Sequence, residues 1–591
     1  MLYGEVTIIE GLKNRVNLGL DISDDKYNNF YGSNTPFRDG KLNSAQIKNS
    51  DNFSYTLENL LTYDKEFGMH RLNVTAMGSI QESTTISSRM DASNVPVNYL
   101  QYYNFSRAED VFAPENDNNY TAWALASVMA RVNYVYDDRY MLTVTGRADG
   151  SSRLAAGNKW HSYPALAVGW NIMNESFLRD VSAISNLKLR LGYGQTSNTA
   201  INPYSTLGGL SGSFYNFGDA GVRGYYVSSL PNFDLSWEFT NTINAGLDFG
   251  FLKGRITGSV DAYMQGTNNI LLQKELPASQ GVPGAYYENV GKTENRGLEL
   301  ILNGVVISPS SKDGFAWELN TNLFLNREKI VELQDPSITR DVGNGWFVGY
   351  PSSAIYDYVK LGIWQLDEAD EAALYGAKPG DIKLEDFAGG GVNGDEPDGV
   401  ITADDRRVLG SAQPDFQGGF TSTFRYKGFD LSVVTYFRVG GMIVSALHMP
   451  TDYVNRLAGR HNGIKVDYWT PDNPTNDMPQ PNATIDASRT HVLGYFDGTF
   501  FKIRSINLGY DLNSKHLAFL GGNSSLRIFT SISDPFIFFS PYVKAGGVDP
   551  EPNAVNHETI SGGEGVPQRA LKIKLDTPPT RRIVLGVNFK F

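Results

Sequence analysis

The chain has 591 residues, of which 41% are hydrophobic and 12% aromatic, with 60 Gly, no Cys and a formal net charge of -13. So many aromatics exclude a disordered chain, and the lack of Cys excludes disulfides and thiolate metal sites. An acidic balance without basic runs argues against a nucleic-acid partner, and no run of about 18 apolar residues predicts a transmembrane helix.

The first residues, MLYGEVTIIEG, do not read as a secretory leader, since they lack a basic start, an apolar core and a cleavage site. Period-two alternation begins at once and recurs along the chain. In LKNRVNLGLDIS the apolar set is Leu12, Val16, Leu18, Leu20 and Ile22, and the polar set includes Lys13, Arg15, Asn17 and Asp21. MLTVTGRAD, NTINAGLDFGF and FQGGFTSTFRY repeat the pattern. Strands are predicted over 2–9, 12–22, 54–63, 70–81, 123–136, 140–149, 163–172, 187–195, 241–251, 256–266, 297–305, 315–326, 415–426, 429–438, 500–511, 525–533 and 582–591. FFKIRSINLGYDL changes phase within one strand, which predicts a β-bulge near Arg504 and Ser505. SAIYDYVKLGIW could add a strand to the wall and is instead placed within a loop.

Three features separate this pattern from a soluble half-buried sheet. Many segments run about 10 residues, the length a tilted strand needs to cross a bilayer. Tight turns (Glu10-Gly11, Asp137 to Arg139, Leu252 to Arg255, Lys427-Gly428) alternate with long stretches at 23–52, 82–122, 196–236, 327–413 and 439–499. Aromatics such as Tyr134, Tyr136, Tyr140, Phe249, Phe251, Phe424, Tyr426 and Phe429 gather beside the short turns, as at a membrane interface. The expected fold is all-β, a transmembrane antiparallel β-barrel. With short turns at one end, an odd number of strands is self-consistent, whereas closed single-chain bacterial barrels have an even number. The expectation is therefore a barrel truncated at its N-terminal side.

The last strand, RRIVLGVNFKF, puts Ile583, Leu585, Val587, Phe589 and Phe591 toward lipid and Asn588 and Lys590 the other way. The opposite, lumen-facing row over the whole chain holds Arg131, Arg147, Asp149, Arg190, Asp248, Glu318, Arg425 and Asp430, whose opposite charges can pair across strands. No nucleophile constellation stands out among the seven His, so no enzymatic activity is expected. No cofactor is expected either, apart from a structural Ca²⁺ in the Asp/Gly-rich stretch of the loop 327–413. Setting Gly399 at the sixth position of an EF-hand-like loop places Glu396 third, Asp398 fifth and Asp405 twelfth, but Gly394 in first place cannot ligate through a side chain.

RVNYVYDDRYMLTVTGRADGSSRLAAGNKWHSYPALAVGWNI, NLKLRLGYGQTSN, ENVGKTENRGLEL, PGDIKLEDF, DGVITADDRRVLGSAQPDF, GFDLSVVTYFRVGG and GTFFKIRSINLGYDL together resemble the SusC/RagA family of TonB-dependent outer-membrane transporters. The resemblance runs over essentially all of 1–591 in family order. It implies a 22-stranded barrel, of which this chain supplies about 17 strands as its C-terminal part, without the plug. It also implies import of a glycan or peptide substrate, energy from the TonB complex, a SusD-like surface lipoprotein as lid, and a surrounding lipid and lipopolysaccharide layer. Phe589 and Phe591 resemble the terminal aromatic signal read by the outer-membrane assembly machinery. On this reading the chain alone is not transport-competent. The rival readings are a passive porin-like barrel and a secreted carbohydrate-binding β protein.

Overall fold

The computed structural model describes residues 2–590 except 36–37, 39, 115–116, 179–180, 200, 275–278, 280, 283, 285, 310, 312, 388–396, 450–465, 482–486, 513–524, 552–558, 562–566, 570–571 and 574–579. Seventeen long strands carry the architecture, and each coincides with one expected from the alternation. They are β1 (Leu2–Ile9), β2 (Leu12–Tyr31), β3 (Asn43–Phe67), β4 (His70–Val95), β5 (Asn119–Tyr136), β6 (Tyr140–Ser151), β7 (Trp160–Asn171), β8 (Ile184–Asn198), β9 (Glu238–Phe251), β10 (Ile256–Asn268), β11 (Lys292–Ile307), β12 (Ala316–Glu332), β13 (Phe416–Tyr426), β14 (Phe429–Val439), β15 (Phe500–Leu512), β16 (Ser525–Phe538) and β17 (Arg582–Lys590).

The chain divides into two compact units, Met1–Trp170 with Leu191–Thr242 and Thr267–Val290, and Asn171–Arg190 with Ile243–Gly266 and Gly291–Phe591. In the first unit β1 to β7 form an antiparallel meander, each strand paired with the next. In the second unit β11 to β17 form another of the same kind. Two-residue turns at Glu10-Gly11, Gly68-Met69 and Lys427-Gly428 use left-handed backbone, with Gly11 at φ 82° and Gly428 at φ 83°. Such turns match the right-handed twist of the strands they join. The longest connections, 96–118, 199–237, 269–291, 333–415, 440–499 and 539–581, fall at the other strand ends.

In both meanders one row of side chains is apolar and exposed. Val128, Val144 and Leu166 are 54%, 46% and 45% exposed in the first unit, and Ile583, Leu585 and Val587 are 68%, 81% and 63% exposed in the second. Water-soluble proteins rarely display contiguous apolar rows of this extent. At the short-turn ends these rows finish in aromatics. Phe67 stacks on His70 at 5.0 Å, and His70 Nδ1 lies 2.6 Å from the Tyr134 hydroxyl. Phe429 and Tyr510 are 4.3 Å apart, and Phe249 and Phe251 5.6 Å.

The expected bulge is present: the registers of β14 with β15 and of β15 with β16 both slip across Arg504. Strand lengths need correction. The expected 12–22, 54–63 and 70–81 are the membrane-sized parts of strands of 20, 25 and 26 residues. A 25-residue strand reaches about 80 Å, far beyond a bilayer's apolar core. In QIKNSDN and SSRMD the apolar half of the alternation thins to Ile47 and Met90 while backbone pairing continues. The pattern therefore marks where the continuous apolar row ends, not where the ladder ends. At the far end Ala45, Ala92 and Val95 form a small buried cluster against Phe30, Tyr102 and Phe105. Arg89 pairs there with Asp91 at 2.7 Å and with Asp117 at 2.5 Å.

Candidate functional site

The polar rows opposite the apolar ones are lined with ionic groups, and the structure pairs nearly every residue expected there. Cross-strand neighbours on one face sit close enough for side chains to bond. In the first unit Arg147 Nε donates to Asp149 at 2.8 Å, and Arg147 Nη2 donates to Ser127 Oγ at 3.0 Å. The Tyr163 hydroxyl also donates to Asp149, which is buried. Arg131 Nε donates to Thr145 Oγ1 at 3.2 Å.

In the second unit Arg190 forms two forked pairs, with Asp248 at 2.8 Å and Asp261 at 2.9 Å. Planar guanidinium suits such bidentate contacts. Gly246 makes room for this triad: a Cβ there would collide with Asp261 Oδ1 and sit 2.7 Å from Arg190 Cζ. Arg425 pairs with Glu318 at 2.8 Å, and Asp430 pairs with Arg527 at 2.6 Å. Arg527 also reaches Asp511 at 2.8 Å. Arg527 was legible in SLRIFTSIS, where it falls in the polar row, but Lys502 was hidden by the bulge. Lys502 is nearly buried among Asp534 at 2.8 Å, Asp549 at 2.6 Å and Glu551 at 3.1 Å, and it fastens the segment after β16 to the strand wall.

The stretch 327–413 is not a structureless loop. β12 continues to Glu332, and three short ladders follow: Arg340–Asp341 with Trp346–Phe347, Ala354–Asp357 with Arg407–Ser411, and Lys360–Ile363 with Ile382–Leu384. SAIYDYVKLGIW thus forms two short strands outside the wall. Tyr358, Ile363, Ile382 and Leu384 pack into one core with Trp469, Met478, Val492 and Leu493. Trp469 Nε1 donates to Gln365 Oε1 at 2.9 Å, joining the described residues of 354–411 to those of 466–497 in one folded platform. Alternation alone could not show this, because the core draws on segments about a hundred residues apart.

Within the platform a cavity of about 380 Å³ is lined by Tyr358, Lys360, His448, Asp477, Tyr495 and Phe496, among others. Lys360 Nζ donates to the Asp477 carbonyl oxygen at 2.7 Å, and burial pushes its pKa down. Asp357 is buried and accepts the Tyr495 hydroxyl; burial raises its pKa above the usual carboxylate range. His448 is braced at both ring nitrogens, by Ser445 Oγ at 2.7 Å and the Ala545 carbonyl at 3.2 Å, and burial lowers its pKa. A buried Ser–His contact of this kind clamps the turn 445–448 against the helix Pro541–Lys544.

Of the three residues considered for Ca²⁺, Glu396 lies outside the described residues. Asp405 is buried, and its two carboxylate oxygens accept backbone N–H groups of Phe387 at 2.8 Å and Thr402 at 2.6 Å, the latter as part of a capping box. Asp398 Oδ1 accepts the Val400 N–H at 2.9 Å, and Asp386 accepts those of Asp398 and Gly399. Among the described residues no three acidic or His side chains gather as a metal cage. Phe589 lies in the apolar row of β17 opposite Leu526, and Phe591 lies outside the described residues.

Comparison with known proteins adds four findings. Residues 6–442 match the family model described as TonB dependent receptor-like, beta-barrel. A TonB-dependent receptor of Formosa agariphila is 29% identical over 610 residues, covering 100% of this chain and 57% of its own. The TonB-dependent receptor SusC of Bacteroides thetaiotaomicron is 30% identical over 454 residues, 72% of this chain and 41% of its own. Among solved structures, that of the RagAB peptide transporter aligns with a TM-score of 0.78 at 22% identity, over 100% of this chain and 61% of its own; it bears on the fold alone. The chain thus matches between 41% and 58% of the length of its curated relatives.

Proposed function

The chain belongs to the TonB-dependent receptor-like β-barrel family, and from that premise we propose that it builds wall and outer loops of a SusC/RagA-type outer-membrane transporter that imports glycans or peptides. One observation carries the reading: exposed apolar rows alternate with paired-charge rows through seven consecutive strands in each unit. Apolar rows suit lipid, and ionic rows suit a watery path or a polar domain seated against them. Paired charges leave that face polar without a strong net field, so a large polar solute can pass without being trapped. The aromatic ends of the apolar rows fit a membrane interface.

The same reading assigns energy input to the TonB complex, capture of substrate to a SusD-like surface lipoprotein at the loop ends, and insertion to the outer-membrane assembly machinery acting on Phe589 and Phe591. Its test is fractionation of a tagged chain in its Gram-negative host. The tagged chain is expected in the outer membrane with a lipoprotein co-purifying in detergent, and gene deletion is expected to abolish growth on one oligosaccharide or peptide source. Recovery from the soluble periplasm would contradict it.

A further inference from the structure

Arg153 lies two residues past the end of β6 and sits over Trp123 of β5, its Cζ 4.2 Å from the ring centroid. Two bonds fix the turn: Ala124 N–H donates to Ser152 Oγ at 2.8 Å, and Ser152 N–H donates to the Ala124 carbonyl at 2.9 Å. The next residue, Leu154, is buried in a cluster with Ile201, Leu235 and Trp237. The arginine is therefore held in place from both sides. Its donors are nevertheless poorly used. Among the described residues Nε is buried without a hydrogen-bond partner, and Nη1 reaches only the Thr199 carbonyl at 3.5 Å, the outer limit of a hydrogen bond.

This sets Arg153 apart from Arg147, Arg190, Arg425 and Arg527, each of which has a carboxylate. Among the described residues Arg153 has none. A guanidinium is always charged, and leaving its buried donors unmade is costly. Stacking on Trp123 supplies attraction but no acceptor. Burial also pushes the pKa of Arg153 below its ordinary value. Trp123 lies opposite Ser83 and shares its row with Ser127 and Arg131, so this group is on the polar side, away from lipid headgroups.

We propose that Arg153, backed by Trp123, binds an oxyanion group, a carboxylate or a sulfate, carried by a solute at the loop end of the polar face. The fork of the guanidinium matches either group through two parallel N–H donors. The site stands on side-chain geometry; that the solute is one in transit rests on the transport reading above. The experiment is calorimetric titration of the full chain in detergent, at constant ionic strength, with sodium sulfate, sodium glucuronate and neutral glucose. Sulfate, glucuronate or both are expected to bind, glucose is not, and the better anion tells which source the site prefers. Arg153→Met should weaken binding by about tenfold to a hundredfold, and Arg153→Lys by less, with the melting midpoint of each variant reporting its fold. Absence of heat from both anions at millimolar concentration, or undiminished binding by a folded Arg153→Met chain, overturns the site. A chain that binds anions but is absent from the outer membrane keeps the site and loses the transport reading.

Discussion

The strands β1 to β7 and the strands β11 to β17 share one wall pattern but extend beyond it in different ways. In the first set β2, β3 and β4 simply keep going, their ladders running on through mostly polar sequence to a small tip cluster and half-buried ion pairs. In the second set the chain leaves the wall after β12 and β14 and folds into a cored platform. A hydrogen-bonded ladder spreads its stability over many equal backbone contacts. A cored platform concentrates it in a few buried side chains, as any hydrophobic core does. The first should tolerate change at any one side chain, and the second should not.

The largest expected effect is therefore in the platform. Trp469→Ala removes a buried ring and its bond to Gln365 and should cost about 3–5 kcal/mol of local stability. Limited proteolysis should then cut within 340–500 while the wall strands stay protected. Next come the buried ionic fasteners. Lys502→Met leaves Asp534, Asp549 and Glu551 facing one another and should cost about 3 kcal/mol, read from the unfolding midpoint at neutral pH. Arg190→Met, more open to water, should cost about 1–3 kcal/mol, and Gly246→Val should have a similar effect by displacing Arg190 from its two carboxylates.

A smaller effect follows from His448. Burial lowers its folded pKa, so the native state binds fewer protons than the unfolded state just below the ordinary His value. The stability it contributes is fully present above that value, about 6.5, and declines as pH falls through it toward the folded pKa. Hydrogen-exchange protection factors at 442–448, corrected for the intrinsic pH dependence of exchange, should fall between about pH 6.5 and 5, and His448→Gln should remove that fall. The smallest effect is expected in the extended ladder: Arg89→Ala breaks half-buried pairs with Asp91 and Asp117 at the strand tip, where the backbone ladder stays paired, and should shift the melting midpoint little. A large loss there would mean that the first set also depends on particular side chains.

Much of the wall was legible before the structure because a half-lipid, half-polar strand writes its geometry into every second residue. Leu142 and Val144 against Thr143 and Thr145 suffice to place β6. The bulge at Arg504 was legible for the same reason, as a break in that phase. What alternation could not carry was any structure without a lipid face. The outer halves of β2 to β4 are mostly polar with only scattered apolar residues such as Tyr27, Ile47 and Met90, and the platform core joins Tyr358 and Ile363 to Trp469 and Leu493 across a long stretch of chain. Ionic partners were legible as a polar row, but not the choice of Asp248 and Asp261 for Arg190, since that choice depends on neighbouring strands. Arg153 was missed because its turn lies beyond the alternating part of β6.

The central claim, that one row meets lipid and the other meets water, has a direct measurement. The chain has no Cys, so single cysteines can be placed without background. Val144→Cys and Leu585→Cys lie in the apolar rows, and Ser79→Cys and Ser531→Cys lie in the polar rows. In chain reconstituted into lipid vesicles, a water-soluble, membrane-impermeant maleimide should label Ser79→Cys and Ser531→Cys and spare Val144→Cys and Leu585→Cys. Equal labelling of all four, or the reverse pattern, would contradict the account.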